Sequence, residues 1–133
     1  MIVLDASVIL KWFQDEEGSE RALVFEERHK TGEEMIAVPD LLFYEIANVL
    51  RYQKKITGEF ADDAFEALNK LEIQTFVLGL YQLKEVFRFA REYDISVYDA
   101  MYVILAKKLE CKLITADKRL QQKLKMFSWV VLL

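Results

Sequence analysis

Short apolar runs rich in β-branched residues alternate along this 133-residue chain with longer stretches of helical period, a pattern that points to a mostly parallel sheet wrapped by helices. Ile2 to Leu4 reads as a first strand ending at Asp5, and Ser7 as the cap of a short helix carrying Ile9, Leu10 and Phe13. A second helix runs from about Ser19 to near Gly32. Met35 to Val38 is the next strand, stopped by Pro39, the only proline; Asp40 then caps a helix with Phe43, Ile46, Ala47 and Leu50 at helical spacing. Gly58 breaks the chain before an amphipathic helix marked by Phe60, Ala64, Ala67, Leu68 and Leu71. Thr75 to Leu78 is a weak edge strand, Leu83, Val86, Phe87 and Ala90 mark another helix, and Tyr93 to Ser96 is a turn. Ser96, with Asp99 three residues on, has the form of a capping box and starts a helix that turns Met101, Ile104, Leu105 and Leu109 inward. Lys112 to Thr115 is a strand, Asp117 opens a helix through about Lys125, and Trp129 to Leu132 is the last strand.

At 53% hydrophobic, residues 1–133 carry enough apolar surface for the core of one domain. No run of about 18 uncharged apolar residues exists, since Lys11, Glu45 and Lys107 interrupt the candidates. The opening MIVLDASVIL has no basic region before its apolar stretch and carries Asp5 inside it, so it is not an export signal. The expectation is a cytoplasmic protein without membrane contact. The single Cys111, between Leu109 and Leu113, reads as a small buried hydrophobe. His29, among Glu26, Glu27, Arg28 and Lys30, reads as part of a solvated helix face, and one histidine excludes the usual mixed zinc sites.

The net charge of −4 argues against bulk attraction to nucleic acid, but the sign is unevenly spread. Residues 1–100 hold 11 Lys or Arg against 20 Asp or Glu (−9), while residues 101–133 hold 7 against 2 (+5). A basic C-terminal third beside an acidic cluster suits a polyanionic substrate; solvated helix faces explain the same numbers.

Four acids lie where such folds gather chemistry. Asp5 follows the first strand, Glu45 is on the second turn of the helix after Pro39, Asp99 is in the first turn of its helix, and Asp117 lies two residues past Thr115. If the first strand and the one ending at Thr115 are neighbours, Asp5 and Asp117 face one crevice at the carboxyl edge of the sheet. Each acid alone has an ordinary explanation: a strand-end turn residue, an exposed helix position, a capping-box residue and an N-cap. Together they repel, so either some are protonated or a divalent cation sits among them. Hydroxyls accompany them at Ser7 and Thr115.

Val3 to Ser7 (hydrophobic-Asp-Ala-Ser), Val38 to Leu41 with Glu45 beyond, Ser96 to Ala100 (Ser-Val-Tyr-Asp-Ala) and Thr115 to Leu120 (Thr-Ala-Asp-Lys-Arg-Leu) together resemble PIN domains, and most of all their VapC-type toxins. The match runs in order over nearly the whole chain. The resemblance implies a three-layer α/β sandwich with helices on both faces of the sheet, and a Mg²⁺- or Mn²⁺-dependent ribonuclease. It implies that Asp5, Glu45, Asp99 and Asp117 form the acidic metal site, with Ser7 and Thr115 supporting it. Asp5, Asp99 and Asp117 would hold the principal metal directly or through water, and Glu45 would bind at the rim or orient the attacking water. Lys118 stands where some relatives carry a further acid, so one metal or two is left open.

For RNA contact the candidates are Lys11, Lys118 and Arg119. The toxin resemblance further implies a cognate antitoxin that blocks the cleft and a homodimer, for which Phe43, Tyr44, Tyr52, Phe60 and Phe65 are candidate contacts. The alternatives are a noncatalytic interaction module of the same fold and a phosphoacceptor receiver domain. The latter needs an Asp after the third strand and a Lys after the last, where this chain has Val77-Leu78 and Leu132-Leu133.

Overall fold

Five parallel strands form the middle layer of the molecule, which the computed structural model describes over residues 1–133. They are β1 (Ile2–Leu4), β2 (Ile36–Pro39), β3 (Gln74–Phe76), β4 (Lys112–Thr115) and β5 (Val130–Leu132), in the spatial order β3-β2-β1-β4-β5. Val3 lies beside Ala37 on one side and Leu113 on the other, which makes β1 the central strand. Every residue of β1 and β2 is buried, as strands covered on both faces require. On the edge, Gln74 and Thr75 of β3 are exposed. Pro39 ends β2 where no further ladder N–H is needed, and Asp40 N–H takes over by donating to Phe76 O at 2.9 Å.

Seven helices connect the strands: α1 (Ala6–Ile9), α2 (Ser19–Lys30), α3 (Leu41–Tyr52), α4 (Gly58–Lys70), α5 (Leu80–Tyr93), α6 (Val97–Lys108) and α7 (Lys118–Lys123), with a 3-10 turn over Leu10–Phe13. The chain steps from β1 to β2 to β3 in one direction, then jumps back past both to β4 and on to β5. Right-handed crossovers therefore put α1 to α4 on one face and α5 to α7 on the other. The winding reverses between β1 and β4, and there the carboxyl edge of the sheet opens a crevice.

The most buried helix is α6. It lies across β1, β2 and β4 and carries α5 on its outer side, so its interior residues from Tyr102 to Ala106 are all buried. Ile104 and Leu105 point inward as expected, while Met101 and Leu109 are half-buried. Val86, Ala90, Ala100 and Ile104 form a small second core between α5 and α6, apart from the main core around the sheet. No helix is long and apolar enough to cross a membrane.

Several boundaries differ from the sequence reading. Asp5, not Ser7, caps α1 by accepting from Val8 N. Asp40 is helical and makes no capping bond. Gly58 opens α4 instead of breaking the chain, because the Thr57 hydroxyl accepts from Phe60 N at 3.2 Å. The edge strand is three residues, Gln74–Phe76, set by its pairing with β2. His29 is not solvated: its Nε2 donates to Leu71 O at 2.8 Å and its Nδ1 accepts from Ile36 N at 3.2 Å, joining segments 42 residues apart. Cys111 is half-buried, and burial pushes its thiol pKa up.

Leu4→Ala in the central strand should cost about 2–5 kcal/mol, against about 0.5 kcal/mol or less for Gln74→Ala on the exposed edge; urea denaturation of the two variants measures the difference. Equal losses would contradict the strand order.

A candidate metal centre at the reversal of the sheet

Between β1 and β4 the backbones have run out of ladder, and side chains complete the junction. Asp5 N–H still donates to Ile114 O at 3.2 Å. Beyond it, the Ser7 hydroxyl donates to Asp5 Oδ1 at 2.5 Å and accepts from Ala116 N at 2.8 Å. Val8 N donates to the same Oδ1 at 3.2 Å, and the buried Thr115 hydroxyl sits close enough to favour the charged carboxyl. Thr115 Oγ1 in turn accepts from Asp117 N at 3.0 Å, while Asp117 Oδ1 caps α7 through Arg119 N at 2.8 Å and Leu120 N at 3.0 Å. Asp5 and Asp117 thus meet at one edge, as neighbouring strands require.

The other two acids arrive on helices from the two faces. Glu45 on α3 accepts at Oε2 from the Tyr102 hydroxyl of α6 at 2.5 Å. Asp99 lies in the first turn of α6, where its N–H donates to Ser96 Oγ at 3.0 Å.

Three of the four are shifted in the same direction. Asp5 is only 6% exposed, and burial raises its pKa from the ordinary 3.8 to about 6 against the lowering effect of Ser7, Thr115 and Val8; the charge of Asp99 adds to the rise. Burial also raises Glu45, with Tyr102 opposing and Asp99 and Asp5 contributing repulsion. Burial raises Asp99 as well, Ser96 opposing and Asp117 adding to it. The Asp117 charge therefore acts on Asp99, that of Asp99 on Asp5, and those of Asp99 and Asp5 on Glu45.

No three of these side chains already converge on a point at ligand distance, so this is not an all-protein cage. The donors are oxygens alone, with His29 and Cys111 elsewhere in the fold. Repelling carboxylates backed by hydroxyls at this spacing fit a hard divalent cation that keeps several of its own waters. Asp5, Glu45, Asp99 and Asp117 are the residues that would hold it.

The three expected substrate cations are divided between two shallow pockets. Lys11 and Lys118 line one of about 270 Å³ together with Arg21, beside Ala116. Arg119 lines another of about 260 Å³ with Asp99, Asp117 and Lys123. Lys11 is engaged, its Nζ 3.0 Å from Glu16 Oε1 and 2.7 Å from Glu17 O. Sequence reasoning passed over Tyr102, Arg21 and Lys123. A signal existed for the first, since Tyr102 follows Asp99 by three residues and so shares its helix face; the other two required the tertiary structure.

The sequence profile of the PIN domain matches residues 2–125. Ribonuclease VapC3 of Pyrobaculum aerophilum is 36% identical over 129 residues, covering 92% of this chain and 93% of that protein. Among solved structures, Mycobacterium tuberculosis VapC20, described as a sarcin-ricin loop cleaving toxin, superposes with a TM-score of 0.72 at 12% identity, covering 98% of this chain and 99% of that one. Rickettsia felis VapBC2, solved bound to a DNA fragment from its promoter, gives a TM-score of 0.68 at 14% identity, covering 100% of this chain and 98% of that one. At such identities the two structures speak for the fold alone.

The raised Asp5 pKa has a consequence for stability without metal. The folded chain keeps a proton on Asp5 that the unfolded chain releases between about pH 4 and pH 6, so the contribution of this group to the stability of the metal-free protein is fully present below that window and is lost as pH rises through it. At pH 7 in EDTA, Asp5→Asn, which can still cap α1, should exceed the wild type by up to about 3 kcal/mol, and the gap should close towards pH 4. Urea denaturation across this range measures it; a gap independent of pH would contradict the buried carboxylate.

Proposed function

The chain belongs to the PIN domain family, and from that premise we propose that it is a divalent-metal-dependent endoribonuclease acting in the cytoplasm as the toxin of a toxin–antitoxin pair. One observation carries the reading: acids from separate segments lie near enough at the reversal of the sheet for Asp117 to act on Asp99, Asp99 on the buried Asp5, and both Asp99 and Asp5 on Glu45. Burying a carboxylate among others is costly for folding, and a cation is the partner that relieves it. The ribonuclease names of the relatives, VapC3 among them, support the activity.

In this mechanism Asp5, Asp99 and Asp117 would hold Mg²⁺ or Mn²⁺ directly or through water, and Glu45 at the rim would orient the attacking water. When bound, the cation supplies a lowered water pKa and neutralises charge developing on the phosphorus oxygens. Ser7 fixes the Asp5 carboxyl so that its free lone pairs keep one direction, and Thr115 holds the backbone of Asp117 beside it. Lys118 and Arg119 take part in none of the seven ion pairs of the fold, and they line different pockets. An RNA strand crossing the carboxylates would rest its phosphates on Lys118, Lys11 and Arg21 on one side and on Arg119 on the other. Such a crossing suits single-stranded or looped RNA, whose backbone can bend into a shallow cleft.

An antitoxin partner accords with a toxin-antitoxin complex from Klebsiella pneumoniae, one chain of which has the same fold. For a homodimer the support is Tyr44 and Tyr52 on α3, which are 70% and 73% exposed, together with the partly exposed Phe60 and Phe65 on α4. Phe43 is half-buried against the main core instead.

Cleavage of single-stranded RNA should require Mg²⁺ or Mn²⁺ and stop in EDTA, and Asp5→Asn or Asp99→Asn should lower kcat on the order of 10²-fold or more with the fold intact by circular dichroism. Full activity in either variant would remove that acid from the site. Mn²⁺ at about 100 times its Kd should also stabilise the wild type by about 3 kcal/mol; no rise in Tm at millimolar metal would count against the whole reading and leave the noncatalytic module in its place. Light scattering should report a dimer in solution, and a monomer at high concentration would exclude it.

A further inference from the structure

Two carboxylates of the centre are fixed by neighbours within their own stretch of chain, Asp5 by Ser7 and Val8 and Asp117 by the first turn of α7, and the backbone of Asp99 is held by Ser96. Glu45 is different. It lies inside α3, takes part in none of the seven ion pairs, and its one hydrogen-bond partner is the Tyr102 hydroxyl, 57 residues away and 2.5 Å from Oε2.

Tyr102 has little freedom of its own. The side chain is 2% exposed within the main core, so the ring cannot swing. Through its i and i+3 positions, α6 carries both the candidate ligand Asp99 and the support for a second acid on α3. A tyrosine serving only as core filler would account for the ring. It would not account for a short, charge-assisted bond aimed at this carboxylate.

We propose that Tyr102 is a positioning residue of the metal site: its hydroxyl holds Oε2 of Glu45 and leaves Oε1 as the oxygen that meets the cation or one of its waters. The inference rests on the metal-dependent reading above. A glutamate on a half-solvated helix would otherwise have to be ordered when the metal arrives, at an entropic cost. The bond to Tyr102 orders it beforehand, as outer partners of metal ligands commonly do.

Tyr102→Phe keeps the ring and deletes only the hydroxyl. Titration calorimetry with Mn²⁺ alone should show Kd raised about 10- to 100-fold, with kcat on RNA lowered and KM within about twofold of the wild type, since phosphate contacts lie elsewhere. Glu45→Asp, which withdraws the carboxylate from the hydroxyl by one methylene, should reproduce the loss and serves if the Phe variant does not fold. In a Glu45→Gln background, Tyr102→Phe should cause no further loss. A purely structural tyrosine would lower Tm in EDTA and leave Kd for Mn²⁺ unchanged. A Kd unaltered in Tyr102→Phe and Glu45→Asp while the wild type binds Mn²⁺ overturns this inference alone; a wild type that binds no Mn²⁺ overturns the metal reading and this inference with it.

Discussion

The Ser7 hydroxyl joins the ends of two strands that the chain keeps 109 residues apart, donating to Asp5 beyond β1 and accepting from Ala116 N beyond β4. The rest of the carboxyl edge depends on this join. It closes the parallel pair where the ladder stops, it gives the buried Asp5 carboxyl a donor, and it fixes the Ala116–Asp117 turn from which α7 starts. A carboxylate buried at 6% exposure would otherwise lack enough partners to remain charged. Hydrogen bonds from Ser7 and Val8 lower its pKa, but burial outweighs them.

The centre is therefore a place where the fold stores repulsion. Asp5, Glu45 and Asp99 are all shifted in the direction that disfavours charge, each first by burial and then in part by one another. Around them the structure is conventional: two inner strands buried throughout, a helix packed between sheet and α5, and no buried side-chain polar atom without a partner. Consistency everywhere except at one edge is the usual mark of a functional site.

Much of this was legible in the residues, though unevenly. Asp117 as the cap of α7 and Ser96 as the cap of α6 followed from spacing alone, because a cap needs only a side chain three residues from an N–H. The cap of α1 was misread because Asp5 and Ser7 both have a suitable oxygen near the helix start; Ser7 is drawn instead to Ala116, a partner invisible locally. His29 was read as solvent-facing from its charged neighbours, yet its ring meets Leu71 and Ile36. Gly58 was read as a break although Thr57 supplied a helix start beside it.

From the sequence alone came the alternation of strands and helices, the identity of the four acids, and the oxygen-only character of any metal site, since these depend on residue type and on spacings of a few positions. The tertiary structure alone decided that β1 lies between β2 and β4, that Lys118 and Arg119 face different pockets, and that Tyr102 holds Glu45. Local propensity reaches about one turn of chain, whereas strand order follows from burying both faces of the sheet with right-handed crossovers. That long-range constraint, and no nearby residue, is what brings Asp5 beside Asp117.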